Sequence, residues 1–300
     1  EMIVVEADEF DHSFLKLNPD IAVITFIDPD HLDIYNNYYE LHNNFNLFVN
    51  KIKPNGILLH KDDLILKYPE NINVFKYSLE NNNLNSNFTI DKLKIINNKY
   101  FFDIKLNNII LKDVTCGVPG LHNVENAIAA AAVCYMLKIS PDVIKKAISD
   151  YKGVERRFDF RIITPEIIYV DDYAHHPAEI NACLNSLKQL YPDRKLTVVF
   201  QPHLYTRTKD LLNEFANSLQ QADEVILLDI YPAREKPIEG VTSALLLSKI
   251  EHNNKKLLSK KELISYLKKS KPQLLVTMGA GDIDKLVKPI EEQLKNEIIK

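Results

Sequence analysis

Apolar positions in the second half of the chain fall into short runs, each closed by a cluster of polar side chains. Residues 167–170 are apolar and β-branched, which predicts a buried strand. A polar loop, 171–177, follows. Residues 178–190 then carry Ile180, Leu184, Leu187 and Leu190 at helical spacing, which predicts a helix with one apolar face. Pro177 suits the first helical turn, where its missing N–H costs nothing. The pattern recurs: strand 196–200 before loop 201–208, strand 225–228 before loop 229–235, and strand 274–277 before loop 278–282 and a helix. Parallel strands joined by right-handed helices bring all these loops to one sheet edge, where open α/β sheets bind ligands.

The first half reads less regularly. Residues 1–7 and 21–27 predict strands that end in acids, Glu6, Asp8 and Glu9 after the first and Asp28, Asp30 and Asp33 around His31 after the second. A helix is predicted at 38–52, a turn at Pro54-Asn55-Gly56 and a strand at 57–59. Short strands at 73–77, 88–90, 100–106 and 109–114, with asparagines at 81–83, 97–98 and 107–108 as turn residues, predict a small antiparallel lobe. Helices are predicted at 124–137, where an alanine run permits close packing, and at 141–151. The segment from Gly153 to Asp159 marks a boundary between two α/β domains, 1–153 and 154–300.

Composition narrows the class. The chain has 300 residues, 46% apolar and 26% charged, as soluble globular proteins do. A net charge of −4 and the lack of a Lys/Arg stripe argue against a nucleic-acid surface. Cys116, Cys134 and Cys183 lack metal spacing and predict reduced thiols in or near the core of a cytoplasmic protein. No stretch is long and apolar enough to span a bilayer. The chain does not start with Met and its first apolar run reads as already under way, so a longer protein is expected. Oligomeric state is not legible.

Candidate chemistry gathers at the strand ends. Carboxylates with one imidazole, as around His31, suit a hard divalent cation, Mg2+ or Mn2+, and equally suit solvated turns. His122, Asn123 and Asn126 lie at a helix start, where Asn caps helices and where nucleotides also bind. Arg156 and Arg157 read either as a solvated linker or as cations for phosphate or a base.

Taken in order, Glu6-Ala7-Asp8-Glu9, Asp30-His31-Leu32-Asp33, His122-Asn123-Val124-Glu125-Asn126-Ala127, Arg156-Arg157-Phe158-Asp159, and the segments 171–177, 200–208, 229–232 and 279–281 resemble the Mur ligases over nearly the whole chain. The D-D-Y-A-H-H-P and F-Q-P-H-x-Y-T-R-T segments most resemble the members that add alanine. The resemblance implies a UDP-binding domain, a central ATPase domain and a C-terminal Rossmann-like domain for the amino acid. This chain looks like most of the central domain, with its small antiparallel lobe, plus the C-terminal one. The family's phosphate loop, G-x-x-G-K-[ST], is not found in it, and Gly279-Ala280-Gly281 has no following Lys. The chain alone is therefore expected to be inactive.

The implied activity is ATP-dependent ligation of L-alanine to the lactyl carboxylate of UDP-N-acetylmuramate through an acyl phosphate, in peptidoglycan precursor synthesis. By the same resemblance Glu6 and His31 match magnesium-associated positions, and Asn126, Arg157, Asp171 and Tyr173 fall on nucleotide-contacting segments. His203 and Arg207 match the amino-acid side, where Arg207 offers a fork to the alanine carboxylate. Glu6, His31, His203 and Arg207 are the candidates for catalysis. Some relatives have Arg where this chain has Leu204, which leaves the carboxylate to Arg207. His175 and His176 border the substrate; being adjacent, their side chains diverge.

Two other functions fit some of the same residues. A metal-dependent phosphoesterase would combine Asp28, Asp30, His31 and Asp33 with Asp171, Asp172, His175 and His176. A remnant that binds nucleotide or a partner without turnover follows from the missing phosphate loop.

Overall fold

The computed structural model describes residues 2–27, 35, 37–81, 85–251 and 253–298. The chain divides into two compact units. Unit 1 comprises Glu1–Ile96, Tyr100–Cys116 and Asn123–Asp150; unit 2 comprises Asn97–Lys99, Gly117–His122 and Tyr151–Lys300.

Unit 1 is built on a sheet whose strands lie in chain order. After a 3-10 segment, Phe10–Lys16, come β1 (Ile21–Ile24), α1 (Tyr38–Val49), β2 (Ile57–Lys61), β3 (Asn73–Tyr77), β4 (Phe88–Ile96), β5 (Lys99–Leu106), β6 (Ile109–Thr115), α2 (Leu121–Met136) and α3 (Pro141–Asp150). Ala22 and Ile24 alternate inward from β1 and meet Leu41, Phe48 and Val49 of α1, with Phe14 closing the cluster. Asn37 caps α1 by accepting the Glu40 N–H at 3.0 Å. The turn between β4 and β5 is Asn97-Asn98, with φ of 49° and 61°, as a two-residue hairpin turn requires.

Two expectations fail here. Residues 1–7 do not form a strand: Met2, Ile3, Val4 and Val5 are 62%, 79%, 89% and 59% exposed and pair with nothing among the described residues. An apolar run becomes a strand only beside another strand, and β1, its natural neighbour, is the outermost described strand of the sheet. β3 also leaves the antiparallel lobe, because it pairs in parallel with β2, Leu59 opposite Phe75, and meets β4 in parallel at Tyr77 and Phe88. Alternation along a strand carries no information on the direction of its neighbour. The antiparallel part is confined to the β4–β5 hairpin and the β5–β6 pair.

Unit 2 contains β7 (Asp159–Ile163), β8 (Ile168–Asp172), α4 (Pro177–Leu190), β9 (Leu196–Phe200), α5 (Tyr205–Asp210), α6 (Leu212–Leu219), β10 (Glu224–Leu227), α7 (Ser243–Lys249), β11 (Lys255–Leu257), α8 (Lys260–Ser270), β12 (Leu274–Met278) and α9 (Asp284–Ile298). Its sheet runs β11-β10-β9-β12-β8-β7, parallel except for β7 at one edge. Every residue of β8, β9, β10 and β12 is buried, which is why their sequences are continuous apolar runs and not alternating ones. Tyr169, Val199, Ile226 and Leu275 pack on one face against Leu263 and Leu267 of α8 and Val287 and Ile290 of α9. On the other face Phe200 meets Phe215 of α6, ring centroids 5.5 Å apart. β9, β10 and β11 step outward, and β12 returns between β9 and β8; this reversal makes a crevice at the carboxyl ends of the strands. Cys116, Cys134 and Cys183 form no disulfide among the described residues, and Cys116 and Cys183 are buried. No helix among the described residues is long and apolar enough to cross a membrane.

Candidate active site

The parallel register of unit 2 sets the candidate site. Thr277 lies opposite Asp171, Met278 opposite both Asp172 and Phe200, and Phe200 opposite Leu227. The polar loops after β8, β9, β10 and β12 therefore leave one edge of the sheet, as the chain pattern predicts.

Beneath that edge lies a buried polar ladder. The Tyr169 hydroxyl lies 3.1 Å from Thr277 Oγ1, which donates to Asp171 Oδ1 at 2.6 Å. Arg156 Nε approaches Asp171 Oδ2 at 3.4 Å, and Arg156 Nη2 donates to the Gly279 carbonyl at 2.5 Å. Asp171 is wholly buried, and burial pushes its carboxyl up against the pull of Thr277 and Arg156. Its link to any ligand thus runs through Arg156. Asp172 accepts the Phe158 N–H at 2.8 Å and the Ala174 N–H at 2.7 Å on separate oxygens. Even so, burial pushes it up to about 6. These bonds pin the chain before β7 to the loop after β8, and Arg156 and Arg157 come to lie 5.0 and 5.1 Å from the centre of the Tyr173 ring. Both guanidinium groups thus lie over the Tyr173 ring, Arg156 half-buried and Arg157 exposed.

Above the ladder runs a row of rings. Tyr173 meets His175 edge-on at 5.0 Å, His175 meets His203 at 6.1 Å, and His203 stacks on Tyr231 at 5.7 Å. His175 Nδ1 lies 3.0 Å from the Tyr173 carbonyl, so in the neutral ring Nδ1 is the protonated nitrogen. His176 turns the other way. It caps α4, its ring accepting from the Ala178 N–H and the Glu179 carboxylate accepting from its backbone. Of the adjacent histidines, then, His175 joins the row and His176 holds the helix. His203 is pushed down to about 4, by burial first and then by His175 and Arg207. Its Nδ1 is buried with no hydrogen-bond partner among the described residues.

The loops after β9 and β10 are tied together. Leu204 N–H donates to the Tyr231 carbonyl at 3.0 Å and Tyr231 N–H to the Pro202 carbonyl at 2.8 Å. Arg207, half-buried, lies in the first turn of α5. The loop after β12 presses on both. A Cβ on Gly279 would meet the Gln201 carbonyl at 2.7 Å, and one on Gly281 would meet Gln201 Oε1 and Tyr231 Cβ at 2.6 Å. Close approach of backbone to side chain explains these glycines.

Seven of the residues singled out from the sequence lie in unit 2, namely Arg157, Asp171, Tyr173, His175, His176, His203 and Arg207, while Glu6 and Asn126 lie in unit 1 and both are exposed. His31, with Asp28, Asp30 and Asp33, falls outside the described residues. Sequence reasoning passed over Arg156 as an individual, Tyr231, Thr277 and Glu235. Only the arginine pair carried a signal; the others matter through partners far along the chain. The acids a phosphoesterase would take from unit 2 are committed, since Asp171 and Asp172 spend their oxygens on hydrogen bonds. No group of three or more His, Cys, Asp or Glu among the described residues is arranged to hold a metal ion.

The description "Mur ligase middle domain" matches residues 1–134, and "Mur ligase, glutamate ligase domain" matches residues 156–281. A UDP-N-acetylmuramate–L-alanine ligase of Flavobacterium psychrophilum is 47% identical over 97% of this chain and 63% of its own length. That of Cytophaga hutchinsonii is 41% identical over 96% of this chain and 62% of its own length. Among solved structures, UDP-N-acetylmuramate-alanine ligase of Thermotoga maritima superposes with a TM-score of 0.74 at 23% identity, covering 95% of this chain and 62% of that one. Thermotoga maritima MurF in complex with ADP gives 0.74 at 16% identity, covering 95% and 65%; both likenesses concern the fold. The chain belongs to the Mur ligase family, of which it carries a middle and a C-terminal domain. It spans less than two thirds of the length of these relatives.

Proposed function

We propose that this chain is the ATP-handling and amino-acid-handling part of a ligase that joins L-alanine to the lactyl carboxylate of UDP-N-acetylmuramate. One observation carries the reading: 47% identity to a ligase of that name runs across 97% of the chain. In this reaction the lactyl carboxylate attacks the γ-phosphoryl group of ATP, giving an acyl phosphate and ADP. The alanine amine then attacks the acyl carbon and phosphate leaves. Residues 1–153 form the ATP-binding domain and 154–300 the amino-acid-binding domain, the latter adding nucleotide contacts of its own.

The residues present support specific roles. Arg207 offers a planar fork to the alanine carboxylate. His203, held neutral, keeps a lone pair that can accept a hydrogen bond from the alanine ammonium. His175 borders the same pocket. Tyr173, with Arg156 and Arg157 stacked on it, offers a face for a purine and charge for phosphates, and Asp171 keeps Arg156 in place. Asn126 lies on the helix that the resemblance assigns to nucleotide contact. By the resemblance, Glu6 would lend one carboxylate, a hard oxygen donor of the kind Mg2+ takes, and His31 would lie at the second cation position. Bound Mg2+ would spread the charge of the transferring phosphoryl group.

The test is a chimera in which this chain replaces the matching 63% of the Flavobacterium psychrophilum relative. Phosphate release that needs ATP, UDP-N-acetylmuramate and L-alanine together is expected, with none from the 300-residue chain alone. A folded chimera without alanine-dependent turnover overturns the reading and leaves binding without turnover in its place.

A further inference from the structure

We propose that Glu235 is a positioning residue for the incoming amino acid, acting through the first turn of α5; the proposal rests on the role given to Arg207 above. α5 starts without a cap of its own. Leu204, at its N-cap position, has φ 67° and no side-chain acceptor, so the leading N–H groups must find partners elsewhere. They find them on the next loop. Glu235 Oε2 accepts the N–H of Tyr205 at 2.6 Å and of Thr206 at 3.0 Å, and Oε1 accepts the Thr206 hydroxyl at 2.5 Å. One carboxylate thus supplies from β10's loop what Ser, Thr or Asp supplies locally at other helix starts.

The loop is shaped for this. Glu235 N–H donates to the Pro232 carbonyl at 2.8 Å, closing a turn in which Ala233 has φ 47°. A left-handed alanine costs free energy and persists only where its surroundings over-determine it. Those surroundings are the ties from Leu204 to Tyr231 and from Tyr231 to Pro202, which fix the two loops to each other. Arg207 is the third residue of the helix that Glu235 holds. Without the carboxylate, two helix-start N–H groups and a hydroxyl lose their acceptor and the turn carrying Arg207 is free to shift. Tyr173 and Arg157 sit at the far end of the ring row, on and beside the loop after β8, so nucleotide affinity does not depend on this cap.

The experiment uses the chimera described above, with steady-state kinetics for alanine and for ATP. Glu235→Ala is expected to raise the KM for L-alanine about tenfold and leave the KM for ATP within about twofold, since misplacing a positioning group by a fraction of an ångström weakens only what that group holds. Glu235→Gln keeps one oxygen acceptor and falls between. Thr206→Val removes the hydroxyl contact alone and raises the alanine KM about threefold, the scale of a single hydrogen bond. Hydrogen exchange at the Tyr205 and Thr206 amides accelerates in Glu235→Ala and less in Glu235→Gln. An alanine KM that does not move in Glu235→Ala, or that rises no more than the KM for ATP, overturns the proposal, whatever the exchange shows. If Glu235→Ala fails to fold, Glu235→Gln and Thr206→Val decide by the same criterion. A wild-type chimera lacking alanine-dependent turnover sinks the functional reading and this proposal together; one that turns over normally while the variants match it removes this proposal only.

Discussion

His203 and Tyr231 lie ring on ring, their centroids 5.7 Å apart and their planes 19° apart, on loops leaving neighbouring parallel strands. His175 meets the same imidazole edge-on at 6.1 Å. Burial first, and then His175 and Arg207, oppose a positive charge on His203. The ring is therefore neutral at pH 7, next to an arginine suited to a carboxylate.

That neutrality can be read directly. The His203 ring is expected to titrate near 4 in an NMR pH series, against about 6.5 for an unperturbed histidine. Between those values the unfolded chain binds the proton that the folded chain refuses. Stability should therefore fall as pH drops from about 6.5 towards 4, and His203→Phe should lose that slope. A His203 titration at 6 or above contradicts the burial argument.

Arg156 is the partner of a carboxylate that has no access to water. Arg156→Ala leaves Asp171 buried without its cation and held by Thr277 alone. A loss of about 3 kcal/mol in urea unfolding is expected, as for other buried pairs broken on one side. The double variant Arg156→Ala with Asp171→Asn should recover part of it, because no unpaired charge remains.

Asp172 makes a prediction of opposite sign to His203. Its folded pKa, about 6, lies above the unfolded value, so the folded chain holds the extra proton and stability declines as pH rises from about 4 to 6. Asp172→Asn lacks this pH dependence. The stability of wild type relative to Asp172→Asn should fall by roughly 2–3 kcal/mol between pH 4 and pH 7. A gap independent of pH shows that the carboxylate is not strained by its burial.

Gly281→Ala places a methyl 2.6 Å from Tyr231 Cβ and from Gln201 Oε1. The loop after β12 must back away from the loops after β9 and β10, at a cost of about 1–3 kcal/mol. Because Tyr231 carries the His203 stack, the His203 titration should also move up towards 6.5. Alanine at this position with no change in the titration separates the packing from the electrostatics.

The residue pattern alone determined four strands of unit 2, β8, β9, β10 and β12, the helices after β8 and β12, the common edge of the four loops and the family; β7, β11 and the helices from α5 to α8 came only with the tertiary structure. Continuous apolar runs, helical spacing and short motifs are local properties, each written within a dozen residues. Tertiary structure decided what depends on which segments meet. It placed β3 in the parallel part of its sheet, left Met2–Val5 unpaired, turned His175 inward and His176 onto a helix start, and buried Asp171 behind Arg156. It also brought Glu235 to a helix start 30 positions earlier in the chain. Pairing direction, burial of a polar group and capping at a distance are set by partners outside the local window, so no local pattern contains them.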